Sequence, residues 1–200
     1  MDAVETRSDE DLLAGHLAGE PGAFEGLVRR HADELFGFLL RFVGNAAVAD
    51  DLVQETFLQV HLAAGSFDPG RSFRPWLYTI AANKARDYLR GRGRKAEQSL
   101  DAGGCDDSGP TPGQLLEAGE EPAAQEADVA ELRQAVQAVV ARLPEHLRLI
   151  LVLGYYQQLP YAEIAQILDI PVGTVKSRLH AAVSQFARLW HGRHGGATGR

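Results

Sequence analysis

Between Gly93 and Pro122 the chain nearly stops supplying large apolar side chains and runs instead through Gly, Asp, Glu, Pro and Ser. Such a segment cannot bury enough surface to offset the roughly 1–2 kcal/mol per residue that ordering a backbone costs. It therefore reads as a flexible acidic linker, placed at 95–122, and it bounds what lies on either side. The 200 residues are predicted to form two small domains, 1–94 and 123–191, followed by a frayed tail at 192–200.

Charge follows the same division. Residues 1–70 hold 4 basic and 13 acidic side chains, 71–95 hold 8 and 1, 96–132 hold 0 and 10, and 133–200 hold 8 and 3. The overall charge of −7 thus hides blocks of −9, +7, −10 and +5. That alternation suits a chain that offers acid to one partner and base to a phosphate backbone. The longest apolar runs, such as Leu147 to Gly154, are far shorter than the roughly 20 residues a membrane helix needs. The acidic amino terminus also lacks the basic start and apolar core of a signal peptide. A cytoplasmic protein without membrane insertion is expected. The single cysteine, Cys105, has no partner for a disulfide or a zinc site. No cofactor or metal is expected.

The periodicity is helical wherever it exists. Polar caps at Ser8-Asp9-Glu10-Asp11 start a short first helix. After Pro21, Phe24, Leu27, Val28, Leu35, Phe36, Leu39, Leu40 and Val43 recur at helical spacing until Gly44-Asn45. A third helix, about 46–64, carries the apolar stripe Val48, Leu52, Val53, Phe57, Val60 and Leu62 opposite Asp50, Asp51, Gln54 and Glu55. Gly65 to Gly70 is loop chemistry. A fourth helix, about 73–92, gathers Arg and Lys towards its carboxyl end. Beyond the linker, helices are predicted at about 123–142, 144–157, 159–168 and 174–190, with no period-two strand pattern anywhere. The fold class is all-α.

The last two helices have the form of a helix-turn-helix, in which the second helix enters the major groove of DNA. Ala165 is small where the helices approach closely. Ile164, Leu168, Ile170, Val175 and Leu179 supply the core, and Val172, Val175, Leu179, Ala182 and Phe186 share one face of the second helix. The opposite side and its flanks carry Thr174, Lys176, Ser177, Arg178 and His180, which can donate to phosphates or base edges. The same pattern also fits an ordinary solvated face on a helical hairpin.

Two longer blocks carry a resemblance. Asp50-Asp51-Leu52-Val53-Gln54-Glu55-Thr56-Phe57 and the run from Phe73-Arg74-Pro75-Trp76 to Asp87-Tyr88-Leu89-Arg90 resemble region two of the extracytoplasmic-function (ECF) sigma factors. Leu143-Pro144-Glu145, Tyr161-Ala162-Glu163-Ile164-Ala165 and Gly173-Thr174-Val175-Lys176-Ser177-Arg178-Leu179 resemble region four of that family, in the same order.

The resemblance implies partners and residues. Core RNA polymerase (β′ and β subunits) would be bound through the helix bearing Asp51, Gln54, Glu55 and Phe57, whose acids meet basic residues of a β′ coiled coil. The loop Gly65 to Ser72, with Phe67 and Asp68, and the helix from Phe73 would read the minus-ten element. There a flipped base stacks on Phe67 or Phe73, which returns about 1–3 kcal/mol, while Asn83, Arg86 and Arg90 contact the duplex. Trp76, at helical spacing with Leu77 and Ile80, is expected in the core. Thr174, Lys176, Ser177, Arg178 and His180 would read the minus-thirty-five element of promoter DNA. Many relatives carry two further arginines just beyond the position of His180, where this chain has Ala181 and Val183. A weaker or altered grip is expected there. An anti-sigma factor that clamps both domains is a further implied partner.

Two other readings compete. A helix-turn-helix regulator that binds an operator without polymerase would need a ligand-binding or phosphoacceptor domain in the first half, where no alternating strands exist to build one. An enzyme would have to rest on Asp50-Asp51, Asp106-Asp107 or on His191 and His194. Adjacent helical acids point about 100° apart, and the two histidines lack a third ligand at suitable spacing.

Overall fold

The computed structural model describes residues 7–101 and 124–194. Among these the secondary structure is entirely helical: α1 (Asp9–Leu17), α2 (Ala23–Val43), α3 (Ala46–Ala63) with a single 3₁₀ turn (Ala64–Ser66), α4 (Phe73–Asp101), α5 (Ala124–Ala141), α6 (Glu145–Leu151), α7 (Tyr161–Leu168) and α8 (Val172–His194). Most of the predicted linker and the last residues of the tail lie outside the described residues. Its first residues do not: α4 runs on through Asp101. No proline interrupts 92–101, and Lys95, Ala96, Glu97, Gln98 and Leu100 are all good helix formers. α8 likewise continues to His194.

Local chemistry sets the boundaries. Ser8 caps α1 by accepting from the Asp11 amide at 3.1 Å, and Asn45 caps α3 by accepting from the Val48 amide at 3.0 Å, each worth about 1 kcal/mol. Gly44, at φ 78°, ends α2 in the left-handed conformation that glycine adopts without penalty. The start of α4 is capped from a distance, because the Phe73 amide donates to Glu10 Oε1 at 2.7 Å.

Helices α1 to α4 form the amino-terminal bundle around Leu12, Leu13, Leu27, Leu35, Phe38, Leu39, Leu52, Val60, Leu77 and Tyr78. Phe38 stacks on Phe42 with centroids 6.3 Å apart and meets Tyr78 edge-on at 5.1 Å. Asp9 crosses from α1 to α2, with Oδ1 2.5 Å from Arg30 Nη1 and Oδ2 2.8 Å from Nε2 of the buried His31.

Helices α5 to α8 form the carboxyl-terminal bundle on Val140, Leu143, Leu149, Ile150, Val152, Leu153, Ile164, Ile167, Val175 and Ala182. The predicted single helix over 144–157 is α6 followed by a π-helical turn, Val152–Tyr156. Gly154, within this turn, sits against Leu179 and Ile164, so the wider winding brings the chain close to α7 and α8. Of the face predicted for α8, Val175 and Ala182 are buried, whereas Val172 is exposed. Val172 is the first residue of the helix, beyond the reach of the α6–α7 packing.

The two bundles share one continuous apolar core. α7 packs on α4, and α5 and the π turn pack on α2. Arg148 Nη1 donates to the Phe42 carbonyl at 2.9 Å, Tyr78 Oη donates to Gln157 Oε1 at 3.2 Å, and Arg41 lies 4.8 Å over the Tyr156 ring.

Candidate protein and nucleic-acid interfaces

The acidic helix presents most of its expected docking residues. Asp51, Gln54 and Glu55 are exposed on α3. Gln54 Nε2 donates to Asp50 at 3.0 Å, and Glu55 pairs with Lys84 at 3.3 Å. Phe57 is a correction: it is 6% exposed and packs edge-on to Phe24 at 6.4 Å, because it shares the inward stripe with Leu52, Val53 and Val60. It belongs to the core of the bundle rather than to the exposed face of α3. Leu62 errs in the other direction, since it is 69% exposed rather than part of the core stripe. With Leu58, also exposed, it extends the line Asp51, Glu55, Leu58, Leu62 at helical spacing, so the acid face passes into an apolar shelf. That i, i+4, i+7, i+11 line is readable in the sequence once Leu62 is taken out of the inward stripe.

At the other end of the bundle three aromatic rings meet. Phe67 lies 4.9 Å from Trp76 and 6.3 Å from Phe73, and Phe73 lies 5.9 Å from Trp76. Phe73 is a second correction, because it is fully buried at the first turn of α4 and has no face left for a base. Phe67 and Trp76 are partly buried, packed against the core with an edge towards solvent. Asp68 orders the loop between them by accepting from the Gly70 amide at 2.9 Å and pairing with Arg71 at 3.6 Å, an Asx turn.

Farther along α4, Asn83 and Arg90 are exposed and Arg86 is half-buried. Arg90 pairs with Asp87 at 3.1 Å. Arg86 reaches across to Glu145 of the carboxyl-terminal bundle at 3.8 Å. Burial pulls the Arg86 guanidinium below its usual value, Glu145 pushes it back, and the positive charges of Arg90 and Arg178 pull it down further.

On α8, Lys176, Ser177 and His180 are exposed, and Thr174 and Arg178 are half-buried. The Ser177 hydroxyl donates to the Thr174 carbonyl at 3.1 Å. Buried Val175 and Ala182 anchor the helix from behind, which fixes the polar side outward. The preceding turn is held by Asp169, whose φ of 51° is left-handed. The Ile170 amide donates back to the Ala165 carbonyl at 3.0 Å. Val183 has a role that sequence reasoning did not find. With Val136, Val140, Leu151, Tyr155, Tyr156 and Phe186 it lines an apolar groove of about 340 Å³ between α5, the π turn and α8. Its signal, exposed Tyr155 and Val183, depends on helix packing that no local pattern encodes.

Comparison with known proteins places the chain in a family. Residues 27–95 match the Sigma-70 region 2 family and residues 133–186 match Sigma-70 region 4. The chain is 37% identical over 164 residues to the ECF RNA polymerase sigma factor SigW of Bacillus subtilis, covering 81% of this chain and 86% of that protein. It is 35% identical over 178 residues to the RNA polymerase sigma-H factor of Pseudomonas aeruginosa, covering 87% and 89%. Among solved structures, CnrH in complex with the cytosolic domain of CnrY superposes with a TM-score of 0.66 at 26% identity, over 92% of this chain and 97% of that one. With both conserved regions matched in order, and full-length relatives above 30% identity, the chain belongs to the ECF group of the sigma-70 family of RNA polymerase sigma factors.

Proposed function

We propose that this protein joins core RNA polymerase through the exposed acid face of α3, Asp51, Gln54 and Glu55, and directs it to promoters through α4 and α8. The observation that carries the reading is the division of exposed chemistry on one chain. A negative helix face stands on one side, and outward Lys176, Ser177, Arg178 and His180 stand on a helix-turn-helix. The apolar shelf of Leu58 and Leu62 adds non-directional burial to an interface that charge alone would make salt-sensitive.

In this reading Phe67, at the mouth of the aromatic corner, is the platform for an unstacked minus-ten base, with Trp76 behind it and Asp68 holding the loop. Asn83, Arg86 and Arg90 contact the adjoining duplex. Thr174, Lys176, Ser177, Arg178 and His180 read the minus-thirty-five element, and Ala181 leaves that grip lighter than an arginine would. The chain performs no chemistry of its own; it acts in the cytoplasm, where the polymerase is. An anti-sigma factor is the antagonist that this reading implies.

The test is reconstitution. The purified chain mixed with core polymerase should co-elute with it and direct initiation from a subset of promoters. Phe67→Ala should impair promoter opening while leaving co-elution intact. Selective duplex binding by the chain alone, with no association with polymerase, would favour an operator-binding regulator instead.

A further inference from the structure

Two imidazoles meet at the end of the acid face of α3. His16, in the last turn of α1, and His61, in the last turn of α3, have ring centroids 4.9 Å apart, tilted by 46°. Phe24 of α2 closes the cluster, 4.7 Å from His16 and edge-on to His61 at 5.5 Å. Among the described residues neither ring has a hydrogen-bond or carboxylate partner. The carboxylates of the surrounding elements are occupied or turned aside. Asp9 holds Arg30 and His31, Glu10 caps α4, and Glu20 pairs with Arg7 at 2.7 Å. Glu55 pairs with Lys84, and the exposed Glu25 lies about 100° round α2 from Phe24. Asp11 sits more than a turn back along α1.

Such a pair suits neutral rings and resists charge. One positive charge at a helix carboxyl end is favourable. Two, about 5 Å apart, disfavour the doubly charged state about fourfold in bulk water and more at a protein surface. Burial, and then His61, hold the half-buried His16 imidazole below its ordinary value. A histidine whose folded pKa is depressed costs nothing above its unfolded value, near 6.5, and weakens its surroundings as pH falls from there towards the folded value. α1 packs chiefly on α2, and the ring pair joins its last turn to α3. His61 also borders the face assigned to polymerase, between Leu58 and Leu62, which with Leu17 of α1 are exposed.

We propose that His16 and His61 are a proton-operated clasp at the end of the docking face. Neutral, the rings close α1 onto α3 and leave the face acidic. Protonated, they part and set positive charge beside Leu58 and Leu62, which weakens capture of a basic partner as pH falls from about 7.5 to 5.5. The effect on docking rests on the function proposed above; the coupling of the two rings does not.

The experiment has two readouts on the full-length chain. First, ring-proton NMR follows both imidazoles from about pH 8 to 5. In wild type they should titrate in two coupled steps, whereas in His61→Gln, at an exposed site, His16 should titrate in one step at higher pH. A His16 titration that is the same in both chains overturns the clasp. Second, equilibrium binding to core polymerase is measured at both ends of the range. The dissociation constant of wild type should rise about fivefold more on acidification than that of His61→Gln, the polymerase's own titration being common to both. His61→Lys, charged throughout, should bind about fivefold more weakly than His61→Gln at neutral pH. An equal pH response in wild type and His61→Gln overturns the proposed control of docking. Coupled titration in a chain that binds polymerase at no pH leaves the ring pair standing and overturns the polymerase reading.

Discussion

Asp9 shows how much one carboxylate can organise. It stands in the first turn of α1, where the helix dipole favours negative charge, and joins α1 to α2 through Arg30 and His31. Burial would raise its pKa, but the hydrogen bonds and charges of His31 and Arg30 outweigh burial and hold it below the ordinary carboxylate value. A depressed carboxylate stabilises the fold fully above its unfolded pKa, near 4, and the contribution is lost as pH falls through the lower folded value. Asp9→Asn should therefore lower the melting temperature at neutral pH and flatten the loss of stability below pH 4; an unchanged acid limb in thermal melts from pH 6 to 2 would contradict this.

Phe57 and Phe73 mark where residue types mislead. Both belong to blocks that resemble functional motifs, and both are core. An aromatic ring at helical phase is equally at home in a core or at an interface, and Phe73 opens its helix, where no preceding turn sets the phase. Replacing either by Ala should cost about 3–5 kcal/mol of stability, read from urea unfolding. Phe67→Ala, at a half-buried site, should cost much less stability than either while losing promoter opening.

Among the elements, helix identity was legible because apolar spacing and caps agree: Ser8 and Asn45 start their helices, and Gly44 ends one, where the sequence says they should. The π turn was not legible. It is an extra residue's worth of winding at Val152–Tyr156, set by packing of Gly154 against α7 and α8 rather than by a local preference. The turn of the helix-turn-helix depends on Asp169 at positive φ, which Asp tolerates and a β-branched residue does not. Asp169→Val should cost about 1–2 kcal/mol and loosen α8, seen as faster amide exchange in α7 and α8. The exposed side of α8 carries a separate expectation. If Lys176 faces phosphate, Lys176→Ala should weaken promoter binding by holoenzyme about equally across sequences and reduce the salt slope by about 1. Loss confined to one base position would place Lys176 on a base edge instead.

At the scale of the whole molecule, charge segregation and the linker divide the sequence into two helical halves, and in the structure those halves share one apolar core. Their mutual packing was invisible to sequence, because Arg148 and Phe42, or Gln157 and Tyr78, lie on opposite sides of the low-apolar stretch and no spacing rule connects them. The apolar shelf at Leu58 and Leu62 and the groove at Tyr155 and Val183 were missed for a related reason, since exposure is a property of the assembled surface. The central proposal is that the acid face of α3 binds core polymerase. The most direct measurement is competition for limiting core enzyme between this chain and its double charge reversal, Asp51→Lys with Glu55→Lys, read by co-elution and by transcripts from a responsive promoter. The account predicts that the variant folds, fails to co-elute and yields no transcript; a variant that still joins the polymerase as wild type does would contradict it.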